Sequence, residues 1–119
     1  MNEHVNFQNY LNLAENDWEF LGKLIHQSTL GLKELSHDYQ KAIETQDVEL
    51  LKSAVHKIKP TLIILESHVL LEYLEEAKEI LGGERIDAIG VYTNAALVNQ
   101  TIEEIIALLE NYMVTKIAV

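Results

Sequence analysis

The sequence predicts an all-α fold, an up-and-down antiparallel four-helix bundle with an additional short N-terminal helix. Three observations carry this. Apolar residues recur at spacings of three and four along most of the chain. One proline and five glycines in 119 residues leave few places to break a helix. Leu, Ile, Glu and Ala dominate while aromatic content is only 7%, and no stretch alternates like a strand.

Taken in order, Phe7, Tyr10, Leu11 and Ala14 share one side of a short helix over residues 4–14. Asn16 or Asp17 can cap the next helix, which carries Trp18, Leu21 and Ile25. The stretch Gln27-Ser28-Thr29-Leu30-Gly31 either separates this helix from the following one or bends a single longer helix. Leu32, Leu35, Tyr39 and Ala42 then stay in register to near Gln46. Asp47 is the expected N-cap of a helix whose seam is Leu51, Val55, Ile58, Leu62 and Leu65. The pattern resets at Glu66-Ser67. Ser67 can cap a further helix with Leu70, Leu74, Ala77 and Leu81 on its seam, and Gly82-Gly83 should end it in a left-handed turn. Val91, Ala95, Val98, Ile102, Ile105, Leu109 and Tyr112 define a long last helix. Short connections between such helices favour antiparallel neighbours. The length suits one domain with a single core, taken as residues 1–119.

Composition excludes several classes of function. A net charge of −10 would repel a nucleic-acid backbone. The absence of cysteine removes disulfides, thiolate chemistry and sulfur-ligated zinc. The polar residues after Met1 do not read as a signal peptide, and no apolar run approaches the roughly 20 residues of a membrane helix. The expectation is a cytoplasmic, stand-alone monomer that binds neither nucleic acid nor membrane. There is no Gly-rich phosphate loop, no kinase motif set and no hydrolase grouping, so the chain is not expected to use ATP itself.

The stretch Ala54-Val55-His56-Lys57-Ile58-Lys59-Pro60-Thr61 is the most informative. One stripe round from the core seam, the helix reads Lys52, His56, Lys59, Ile63 and Glu66. His56 should therefore sit outside the core, with cations one turn above and below. Lys59, three residues on, lies about 60° round the helix and one turn further along. Its ammonium can reach a phosphoryl group on the imidazole, which is a neutral nucleophile near pH 7. Lys52 would help to offset phosphoryl charge, and Lys57 would do so more peripherally. Pro60 has no N–H, so the His56 carbonyl loses its helical partner, and a proline inside a helix typically costs about 3 kcal/mol.

In these residues the chain resembles the histidine-containing phosphotransfer (HPt) domain family, which carries His-x-x-Lys-Gly on a helix of a four-helix bundle. Here the pattern is His56-Lys57-Ile58-Lys59, with Pro60 where the family has glycine. The likeness covers roughly residues 5–82, with the last helix closing the bundle. The resemblance implies a phosphorelay carrier in two-component signal transduction. His56 would be the phospho-acceptor and Lys59 its electrostatic helper, with Lys52, Lys57, Pro60 and Ile63 meeting the partner and Ile64 beside them. Partners would be response-regulator receiver domains, with a hybrid histidine kinase as a further candidate. No cofactor or metal belongs to this chain; magnesium would sit in the receiver. The rival expectation is a phosphorylation-inactive helical adaptor that binds receiver or kinase domains, with transfer lost through Pro60 and Glu66.

The remaining candidates have plainer readings. His4, His26, His37 and His68 read as surface or partly buried residues. Glu34-Leu35-Ser36-His37 has the Glu-x-x-His spacing of di-metal bundles but no second copy. Glu72, Glu75, Glu76 and Glu79 form a solvated helix face. Trp18 reads as an inter-helix anchor, and the five tyrosines read as packing residues.

Overall fold

The computed structural model of the chain describes residues 4–83 and 86–117. Residues 1–3, 84–85 and 118–119, which the single-domain expectation also takes in, lie outside the described residues. The described residues form five α-helices and no strand: α1 (Gln8–Ala14), α2 (Trp18–Thr45), α3 (Val48–Leu65), α4 (His68–Gly82) and α5 (Ala88–Tyr112). A π-helical turn, Met113–Ile117, follows α5.

The helices start where carboxylates can take up free amides. The side chains of Asp17, Asp47 and Asp87 accept from the backbone N–H groups of Phe20, Leu50 and Ile89 at 3.0, 3.0 and 3.1 Å. Of the two expected caps for α2, Asp17 is the one used, and Asn16 takes a positive φ in the turn before it. Ser67 holds the N-cap position of α4 but does not cap it. Its buried hydroxyl donates to the carbonyl of His4 instead.

The α1 helix is shorter than expected because residues 4–7 run as a non-helical lead whose Val5 is buried in the core. The open question between two helices and one bent helix is resolved by α2, a single 28-residue helix. Its polar stretch does not interrupt it, because the hydroxyls of Ser28 and Thr29 donate back to the carbonyls of Leu24 and Ile25, at 2.9 and 3.1 Å. Gly31 serves packing there: a Cβ at this position would lie 3.4 Å from Ile58 Cδ1, so α2 and α3 approach closely. The expected left-handed turn at Gly82-Gly83 is absent. Gly83 ends α4 in an extended conformation, φ −75° and ψ 162°, so the chain leaves the helix without folding back on it.

Packing links α2 to α3, α3 to α4, α4 to α5 and α5 back to α2, while α1 lies against α2 and α3. The enclosed core includes Ile25, Leu32, Leu51, Leu62, Leu74 and Ile105, each at most 1% exposed. Two buried polar links fix how the helices mate. The Tyr39 hydroxyl donates to Asn94 Oδ1, and Asn94 Nδ2 donates to the Tyr73 carbonyl at 2.9 Å, tying α2, α5 and α4 together. The Tyr10 hydroxyl donates to Ser28 Oγ, whose own proton is committed to the Leu24 carbonyl.

Two packing expectations need correction. Trp18 is 54% exposed, because the first residue of α2 sits at the rim where little chain covers it. Tyr92 is 79% exposed, since it lies one position round from the inward row of α5.

Candidate functional site around His56

The inward row of α3 sets the site. Leu51, Ala54, Val55, Ile58, Leu62 and Leu65 are all buried, which fixes the rotation of the helix about its axis. The opposite ridge then faces water: Lys52, His56, Lys57, Lys59, Pro60 and Ile63 are all exposed. Helical geometry brings Lys52, His56, Lys59 and Ile63 onto one strip. Ile63, at 53% exposure, adds an apolar contact at one end of that strip. Pro60 lies within α3, which continues through it to Leu65.

The cations around His56 are not equivalent. Lys52 Nζ lies 3.6 Å from Glu49 on its own helix. Lys57 Nζ lies 2.6 Å from Glu34 Oε1, across the junction with α2. That hydrogen bond raises the Lys57 pKa above its ordinary value, and the charges of Glu34 and Asp38 push the same way. Lys59 forms no ion pair among the described residues. The sequence reading gave Lys59 and Lys52 the main part beside His56 and Lys57 a more peripheral one. The structure leaves Lys59 without an ion pair among the described residues and shares the charge of the other two with carboxylates. His56 itself makes no hydrogen bond or ion pair among the described residues, so its ring nitrogens are open to a reaction partner.

Glu66 does not reach toward Lys59. It ends α3 in the left-handed conformation, φ 58°, and its carboxylate accepts from Asn6 Nδ2. Around it the N-terminal lead and α1 close the end of α3. Asn6 N donates to the Leu65 carbonyl at 2.7 Å, and Asn9 Nδ2 donates to the Ile64 carbonyl at 2.7 Å. Glu66 N and Ser67 N take the carbonyls of Ile63 and Leu62. All four final carbonyls of the helix are thereby satisfied.

Glu34 and the N-terminal clasp are the residues that sequence reasoning missed. Glu34 had been weighed only as part of a metal spacing, and no periodicity signals a cross-helix ion pair. In the structure Glu34 meets Lys57, and His37 Nδ1 lies 3.3 Å from Asp38. Among the described residues no group of three His, Asp or Glu side chains is placed to hold a metal. Of the other histidines, His4 is buried with Nε2 2.9 Å from Glu104, while His26, His37 and His68 are exposed. The junction between α2 and α3 beside Lys57 encloses about 60 Å³, far below the roughly 300–1,000 Å³ of a small-molecule pocket. No helix among the described residues is long and apolar enough to cross a membrane.

Compared with protein-family models, with curated proteins and with solved structures, the chain matches none.

Proposed function

We propose that this chain is a histidine phosphotransfer carrier, taking a phosphoryl group on His56 from a receiver-domain aspartate and passing it to another. The observation that carries the reading is an exposed imidazole on the outer ridge of α3, with the exposed ammonium of Lys59 one turn away and neither paired among the described residues. The closed series of contacts from α2 through α5 and back supports reading these four as an up-and-down antiparallel bundle, with α1 as the additional short helix. A cytoplasmic monomer goes with this reading.

In the transfer, the unprotonated ring nitrogen of His56 attacks phosphorus in line. The N–P bond forms as the O–P bond to the donor aspartate breaks, and the carboxylate leaves with the electron pair. The other ring nitrogen keeps its proton. Lys59 offsets the charge on the phosphoryl oxygens, a charge-assisted contact of the stronger kind. Magnesium belongs to the receiver, as does the acidic pocket that a cationic ridge would steer toward itself on an otherwise anionic protein.

The test is incubation with phosphorylated receiver domains, followed by a search for acid-labile, base-stable phosphate on the chain. Label on the wild type and none on His56→Gln supports the carrier. Binding to receivers without label from any of them would instead favour the adaptor, for which Pro60 in place of glycine is the motivating observation.

A further inference from the structure

Resting on the carrier reading, we propose that Glu34 restrains Lys57 and so sets how readily His56 accepts an anionic phosphoryl donor. Lys57 is then a second phosphoryl-steadying cation, which α2 holds aside until a donor competes for it.

The placement carries the argument. Lys57 follows His56 directly in the chain, on the side of α3 that turns toward α2. Its ammonium is held 2.6 Å from the Glu34 carboxylate. Gly31, one helical turn before Glu34, lets the two helices come close enough for that reach. Asp38, one turn further along α2, adds to the field on the same ammonium. Both partners are more than half exposed, at 65% and 51%. An ion pair this wet contributes little to folding and opens readily. A phosphoryl group carries about −1.5 to −2 charges against the single charge of a carboxylate. An incoming phosphoryl therefore competes well for Lys57, and the strength of the Glu34 contact sets the barrier to that exchange.

The test uses phosphoramidate, a small anionic phosphoryl donor that needs no receiver. A ring nitrogen of His56 attacks its phosphorus, the P–N bond of the reagent breaks, and ammonia leaves with the electron pair. The rate of His56 phosphorylation, followed by phosphorus NMR, is compared among wild type, Glu34→Gln, Lys57→Gln and the double variant at low salt. Glu34→Gln should react about threefold faster, the scale of one freed ammonium brought to roughly 5–8 Å from the phosphoryl group in water. Lys57→Gln should react slower by a similar factor. In the Lys57→Gln background, Glu34→Gln should change the rate by less than about 1.5-fold, because the restraint has nothing left to hold. At high salt the differences should shrink.

Equal rates for Glu34→Gln and wild type would overturn the proposal. So would a gain that persists undiminished without Lys57, which would mean that Glu34 acts through its field alone. Inertness of His56 to phosphoramidate would overturn it too. A wild type that takes phosphate from phosphoramidate but from no receiver would sink the carrier reading while leaving the Glu34 comparison readable.

Discussion

Within α3, the ridge from Lys52 to Ile63 and the last turn from Leu62 to Leu65 are built on opposite terms. On the ridge, the imidazole of His56 and the ammonium of Lys59 have no partner among the described residues, and the His56 carbonyl is denied its helical amide by Pro60. At the last turn, each carbonyl has a donor, two of them supplied from Asn6 and Asn9, more than fifty residues earlier in the chain. The clasp fixes where the helix ends and how it lies against α1. Among the described residues, His56 and Lys59 of the ridge join no ion pair, while Lys52 and Lys57 meet Glu49 and Glu34. Folding contacts and the proposed chemistry thus fall in different parts of one helix, and substitutions in the two regions should separate in the same way.

The sharpest break of that separation is His56→Gln, which should abolish phosphoryl uptake from every donor. Its melting temperature should stay close to that of the wild type, because a surface substitution of this kind usually changes stability by no more than about 0.5 kcal/mol. A large drop in melting temperature would place His56 among the folding residues. Next comes Lys59→Ala, expected to slow uptake from a receiver by tenfold or more, the equivalent of losing one charge-assisted contact of about 1.5–3 kcal/mol. Circular dichroism should record unchanged helicity.

On the clasp side, Ser67→Ala removes the buried donor to the His4 carbonyl. It should cost about 1–3 kcal/mol and lower the melting temperature by several degrees, while uptake per folded molecule stays as in the wild type. A change in uptake would show that the clasp tunes the ridge.

The smallest effect is at alkaline pH and lies in neither region. Burial first, and the charge of Glu76 second, raise the Tyr39 pKa above its ordinary value of 10. The folded state therefore holds the phenolic proton after the unfolded state has released it. The stability this gives is fully present below pH 10 and is lost as pH rises from there toward the folded-state value. The urea midpoint should fall as pH rises above 10, and Tyr39→Phe should flatten that fall.

The helical class, the inward rows and the caps Asp17 and Asp47 were legible because each depends on near neighbours in sequence. Leu51, Val55, Ile58 and Leu62 announce by spacing alone which side of α3 is buried, and that places His56 outside. Ser28, Thr29 and Gly31 left open whether the chain breaks or bends there, because their effect depends on context: the hydroxyls bonded back within the helix, and the glycine admitted a neighbouring helix. Ser67 was misread because its partner, the His4 carbonyl, lies far away in the chain. Glu34 was overlooked for the same reason. Sequence spacing ranks positions by rotation about one axis and carries no information about which carboxylate on another helix will claim a given lysine.

The turns carry a last consequence. None of the described glycines has a positive φ; Gly22, Gly31, Gly82 and Gly90 all lie within helices. The left-handed positions that close α1, α2 and α3 are filled by Glu15, Gln46 and Glu66, residues that resist that geometry by roughly 1 kcal/mol each. The chain thus places side chains that resist the left-handed geometry at its turns. Glycine at Glu15 or Gln46 is an open route for engineering a hardier scaffold that leaves the outer strip of α3 untouched.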